Sequence, residues 1–152
     1  MRGTRTALAA TGITALAAAA AVSAPIAIAT TGTPTIKLTS TSKGKILTSG
    51  GYTLFMFTRD TANKDNCGKT CKGTWPPLYT SGKPQAGPGV NASLIGTIKL
   101  ANGKRQATYN KHPLYRYKPD LQLGMKAETY YIGFFQFGGY WYGVNAAGKA
   151  VK

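Results

Sequence analysis

The chain has 152 residues, with 19 Lys and Arg, four Asp and Glu, one His and two Cys, for a formal charge of +15. That length suits one ordinary domain with one modest core. With so few acid–base side chains, no Ser in a Gly-x-Ser-x-Gly elbow, and Asn63 where a phosphate loop ending at Gly68-Lys69-Thr70 needs its first Gly, hydrolase and nucleotide chemistry have little support.

In chain order, residues 1–29 read as a secretory signal peptide. Arg2 and Arg5 precede an Ala-rich apolar run that ends in Ala27-Ile28-Ala29, and cleavage is expected after Ala29. Pro25 and the polar residues within the run argue against a membrane span. No Cys lies near the cleavage point, so no lipid anchor is expected and the product should be extracellular. Without Arg2 and Arg5 the chain keeps 17 basic and four acidic residues, about +13. A field of that size favours anionic cell-wall polymer or a membrane surface, with no specific reading of nucleic acid.

Residues 30–43, "TTGTPTIKLTSTSK", read as a flexible linker that ends in a strand at Ile36–Leu38, at most on the edge of the fold. Residues 44–152 read as one β domain. It alternates short β-prone runs with turn signals at Gly50-Gly51, Asn102-Gly103 and Gly138-Gly139, and no stretch has an apolar period of 3.6. The expectation is an all-β, small antiparallel sandwich or barrel-like domain with few short helices. Asn102-Gly103 should close a two-residue hairpin between Thr97–Leu100 and Arg105–Tyr109. "TSGKPQAGPGVNAS" should be an exposed, unpaired loop.

One unit is written twice: "LFMFTRD" from Leu54 to Asp60 and "LYRYKPD" from Leu114 to Asp120. The copies extend over about 44–79 and 103–148. In an extended first copy Phe55 and Phe57 point to one side and Leu54 and Met56 to the other, so both faces ask for burial. In the second, Tyr115 and Tyr117 share one face and Arg116 and Lys118 the other, as in a sheet with one wet side. Asp60 and Asp120 then fall just past the strands, where a carboxylate can accept N–H groups of a turn. They could act as a carboxylate pair only if the fold makes them neighbours.

Cys67 and Cys71, in an exported chain, are most simply one disulfide; a redox pair or a metal site with the lone His112 is the alternative. No resident metal or cofactor is expected, and no residue is singled out as catalytic. Trp75, in "WPPLY", should pack beside the disulfide, and with Trp141 and His112 it is also a candidate for ligand contact. The aromatic stretch "YYIGFFQFGGYWYGV" suits a core or a stacking platform.

The ordered set "YTLFMFTRD", "CGKTCKGTWPPL", "GKRQATYNKHPLYRYKPD" and "GGYWYGVNAAGK" resembles the bacterial secreted repeat and lipoprotein family marked by a tandem Tyr-x-aromatic-x-x-Asp motif. The resemblance covers most of Gly44 to Lys149. Tyr115, Tyr117 and Asp120 fit the motif; Phe57 and Asp60 fit in the first copy, where Phe55 replaces the Tyr. Gly139 and Trp141 resemble the family's Gly-x-Trp ending, and the lipid-attachment Cys is absent. The resemblance implies a β fold outside the cytoplasm and names no activity. The functional expectation is therefore a secreted, non-enzymatic binding or structural protein of the cell envelope. An extracytoplasmic redox or metal-handling accessory built on the Cys pair is the alternative.

Overall fold

The computed structural model of the chain describes residues 32–152, so the expected signal peptide lies outside the described residues. Among them the protein is all-β, with short strands in three sheets, two helices of six residues and no closed barrel, a sandwich-like arrangement.

The first sheet contains β1 (Thr35–Thr41), β2 (Gly44–Ser49) and β3 (Tyr52–Thr53) as consecutive antiparallel hairpins. The strand expected at Ile36–Leu38 forms as part of a longer one, so the flexible linker expected over 30–43 is corrected from Thr35 on. β1 is not a loose edge but lies between β2 and β6 (Gln85–Ala86), with Ile36 fully buried. Its Thr and Ser residues, which resemble a linker in composition, are also β-compatible. Thr39 hydroxyl pairs with that of Thr48 across the sheet at 2.8 Å. β6 pairs parallel with β1, so the Gly- and Pro-rich loop does hold two residues of ladder.

The second sheet contains β5 (Tyr79–Thr80), β7 (Ile95–Lys99), β8 (Arg105–Tyr109) and β9 (His112–Pro113). The hairpin predicted at Asn102-Gly103 forms, with a longer turn than expected. Leu100 N–H donates to Lys104 C=O and Gly103 N–H to Leu100 C=O, and Gly103 is at φ +81°. That is a three-residue loop closed by a left-handed residue.

β4 (Phe55–Phe57) joins the third sheet beside β11 (Gly139–Val144), which also pairs with β10 (Phe134–Gln136) and β12 (Ala150–Val151). β4 separates two cores, as its alternation predicts. Leu54 and Met56 face one cluster with Ile36, Leu47, Tyr109 and Leu114, while Phe55 and Phe57 face another with Trp75, Tyr115, Tyr117 and Trp141.

The second copy departs from the expected strand. Tyr115 makes only single bridges, and α2 (Lys118–Leu123) starts directly after Tyr117. Pro119 is in the first turn, where its missing N–H costs nothing, and Gly124 ends the helix at φ +68°. Asp120 is consequently inside a helix. Arg116 is half-buried instead of lying on a wet face.

The repeat is a structural duplication. Ser49 pairs with Tyr52 and Thr48 with Thr53; sixty residues on, Tyr109 pairs with His112 and Thr108 with Pro113. The turn between is left-handed in both copies, with Gly50 and Gly51 at φ +60° and +85°, and Asn110 and Lys111 at +47° and +66°. Leu54 N–H reaches Leu47 C=O as Leu114 N–H reaches Ala107 C=O, both at 3.0 Å. β1 and β7 supply corresponding buried residues, Ile36 and Ile95, so each copy begins earlier than the sequence suggests.

Candidate functional site

The two copies meet through their own motifs. Phe55 and Tyr115, equivalent residues, exchange both backbone hydrogen bonds at 2.9 Å. The Trp segments are swapped around this bridge. Pro77 of the first copy pairs with Tyr115 of the second, and Gly143 of the second copy pairs with Phe55 of the first. This is the mutual contact of an isologous interface, here inside one chain.

On that axis the Trp75 and Trp141 rings stack with centroids 4.1 Å apart and planes 2° from parallel. Phe55 meets the Trp75 ring edge-on as Tyr115 meets Trp141, at 5.0 and 5.1 Å. Tyr117 and Phe57 cover the outer indole faces at 4.5 and 4.2 Å. Trp75 Nε1–H donates to Gln136 Oε1 at 2.7 Å. Both indoles are fully buried, which corrects their candidacy as ligand contacts. They are the centre of a core, and their rings are satisfied there.

Tyr115 hydroxyl donates to Asp60 Oδ2 at 2.8 Å, and Asn66 N–H donates to Asp60 Oδ1 at 2.7 Å. Burial pushes the Asp60 carboxyl up to about 6, against the lowering effect of these two hydrogen bonds. Burial also drives the Tyr115 phenol far above its ordinary range, with the Asp60 charge adding to it.

Asp120 is in a different environment. It is 1% exposed and neither carboxylate oxygen has a hydrogen-bond partner. Its carboxyl is pushed up to about 6 by burial, with Glu128 adding repulsion. The nearby charges for Asp60 are instead Asp65 and Lys72. No hydrogen bond joins Asp60 to Asp120, so the shared-proton pair of a two-carboxylate enzyme is not formed.

Cys67 and Cys71 are joined as a disulfide that brackets the start of α1 (Lys69–Thr74). Asp65 holds the entry to this loop. Its Oδ1 accepts Cys67 N–H at 2.8 Å, and its Oδ2 pairs with Lys72 at 3.0 Å. Trp75 N–H donates to Cys71 C=O at 2.8 Å, so the staple is tied to the buried indole. His112 is half-buried on β9 opposite Tyr109, and burial pushes its pKa down. Among the described residues no group of three His, Cys, Asp or Glu could hold a metal ion, and no helix is long and apolar enough to cross a membrane.

Sequence reasoning missed Arg116 and Gln136. Nothing local in "LYRYKPD" shows that its Arg will be half-buried, because the enclosing groups come from β1, β2 and the turn after β2. Gln136 was hidden inside an aromatic run.

No curated protein and no solved structure matches the chain. One family model does match, and its description as secreted agrees with an extracellular location. Residues 37–79 match the family described as a secreted repeat of unknown function, a segment that runs from β1 through the Trp75 segment and so corresponds to the first of the two structural copies.

Proposed function

We propose that this protein is a non-enzymatic module of the cell envelope that attaches to anionic cell-surface polymer. The observation that carries this reading is the scarcity of internal charge pairing. Among the described residues one ion pair, Lys72 with Asp65, faces 17 Lys and Arg. The remaining positive charge is spread over the surface and left for an external polyanion. A row of rings adds a contact surface for sugar. Phe135 and Tyr140 meet at 5.0 Å, Tyr140 and Tyr142 stack at 5.7 Å, and Lys152 Nζ lies 5.8 Å from the Tyr142 ring.

The alternative reading, a redox or metal-handling accessory, needs thiols from Cys67 and Cys71, and the two sulfurs are joined to each other. The test is sedimentation of the protein with purified cell walls, before and after chemical removal of their anionic polymer. Binding is expected at about 0.1 M salt and should largely disappear near 1 M, where the screening length falls from about 10 Å to about 3 Å. Binding that survives both treatments overturns the proposal.

A further inference from the structure

Between β1, the turn after β2 and the second motif lies an open pocket of ≈ 400 Å³, lined by Thr35, Lys37, Ser49, Gly50, Gly51 and Arg116. Two of these residues are cations and none is an acid. The Arg116 guanidinium is half-buried. Its Nε is buried without a hydrogen-bond partner, and Nη2 makes only a long contact of 3.4 Å to Ser49 Oγ. No carboxylate pairs with it among the described residues. A guanidinium taken partly out of water without an anion is costly, and burial pushes its pKa down accordingly.

The rest of the fold sharpens the anomaly. Arg116 takes the place held in the first copy by Met56, which is a core residue. Where the first copy has an apolar core residue, the second has a cation that no carboxylate among the described residues neutralises. The guanidinium stands over the Gly50-Gly51 turn, with Nη2 3.9 Å from the point where a Gly50 Cβ would be. Neither glycine's N–H donates a hydrogen bond among the described residues. Lys126 also braces the turn, donating to Gly50 C=O at 2.8 Å and lying 3.4 Å over the Tyr52 ring.

We propose that this pocket is an oxyanion site, in which a phosphate or carboxylate group of the anionic polymer sits between Arg116 and Lys37. The site takes its ligand class from the polymer-binding reading and gives that reading a specific address. A planar guanidinium whose Nη2 makes only one long contact has N–H donors left for phosphate or carboxylate oxygens, and Lys37 adds an exposed charge at the rim.

The experiment follows the arginine Nε–H signals of the full chain by NMR while inorganic phosphate, and separately acetate, is added. Arg116 is expected to shift saturably, with exposed Arg59 and Arg105 as internal controls. In parallel, a polyol phosphate polymer and a polyuronate are tested against wild type, R116K, R116Q and K37Q. R116Q should weaken binding about tenfold, the size of one charge-assisted hydrogen bond, and R116K should recover only part of it. Preference for the first polymer assigns a phosphate ligand, and preference for the second a carboxylate. Should R116Q fail to fold, K37Q at the exposed rim carries the same test. If polymer binds with salt dependence while Arg116 Nε stays unshifted and the variants bind like wild type, the site is wrong and the polymer reading stands. If Arg116 responds to phosphate but no polymer binds, the polymer reading falls and the site remains for small oxyanions. Silence in both arms overturns both.

Discussion

The Tyr115 hydroxyl of the second copy donates to the Asp60 carboxylate of the first at 2.8 Å. The motif's Tyr and Asp therefore act across the duplication, the second copy supplying the hydroxyl that the first copy's Asp accepts. The relationship is one-sided in this chain. By the internal two-fold the counterpart of Tyr115 is Phe55 and that of Asp60 is Asp120. Phe55 has no hydroxyl, and Asp120 is left with both oxygens buried and unpartnered.

Substituting Phe55→Tyr should restore the second pair. The ring already sits against Trp75 as Tyr115 sits against Trp141, so the added hydroxyl should point toward Asp120. A gain of about 1 kcal/mol is expected at neutral pH, together with a lower Asp120 carboxyl pKa. Thermal unfolding and carboxyl-carbon NMR measure the two effects. A variant no more stable than wild type, with Asp120 titrating as before, would refute the symmetric pairing. The reverse change, Tyr115→Phe, should cost roughly 1–3 kcal/mol because it strips Asp60 Oδ2 of its donor.

Stability should fall as pH rises through the carboxyl range. Burial pushes the carboxyls of Asp60 and Asp120 up to about 6 in the folded chain, against 3.8 for an unperturbed Asp. A folded pKa above the unfolded one means the fold holds the proton more tightly. The associated stability is fully present below pH 4 and is lost as pH climbs through about 6. Unfolding midpoints should therefore drop between these values and level off above pH 7. The scan belongs in high salt, so that self-repulsion of the basic chain is screened. Asp120→Asn should flatten the profile. Midpoints that rise with pH, or a wild-type profile no steeper than that of the variant, would contradict this account.

How much of this was legible in the sequence depended on whether a signal was local. The two faces of β4 followed from a period of two, and Leu54 and Met56 do part from Phe55 and Phe57. The strand at Ile36–Leu38 was legible, but the full length of β1 and its place inside the sheet were not, because Thr, Ser and Lys suit both a linker and a strand; only its pairing with β2 and β6 decides, and that is tertiary. The end of the second motif's extended segment at α2 had local signals in Pro119 and Gly124, but the likeness of "LYRYKPD" to the first copy pointed to a strand. The crossing of Tyr115 to Asp60 had no sequence signature beyond the repeat itself. The Arg116 pocket had none, since its walls come from segments far apart in the chain.

The stacked indoles allow a test of the two-fold itself. Trp75 and Trp141 occupy equivalent, fully buried sites, so Trp75→Leu and Trp141→Leu should destabilise by similar amounts. Because the rings touch, the double variant should cost less than the sum, by about 0.5–1.5 kcal/mol for an aromatic pair. Urea unfolding of the four proteins gives the cycle. Additive losses would mean that the stack contributes burial alone.

The disulfide belongs to only one copy, which makes its removal informative about asymmetry. It closes a short loop, so the loop-entropy model assigns it about 2 kcal/mol. Its placement adds a local role. Trp75 N–H is bonded to Cys71 C=O, and Asp65 bonds both Cys67 N–H and, from the helix, Lys72. In a Cys67→Ala, Cys71→Ala variant, loosening should thus begin at residues 65–75 and reach the Trp75 indole before the equivalent Trp141. Hydrogen exchange resolved by segment, with the unfolding midpoint measured alongside, reads both quantities. The expected result is a midpoint loss matching about 2 kcal/mol, with lost protection concentrated between Asp65 and Trp75. Uniform loss of protection in both copies would show that the staple supports the whole fold and not the first Trp segment.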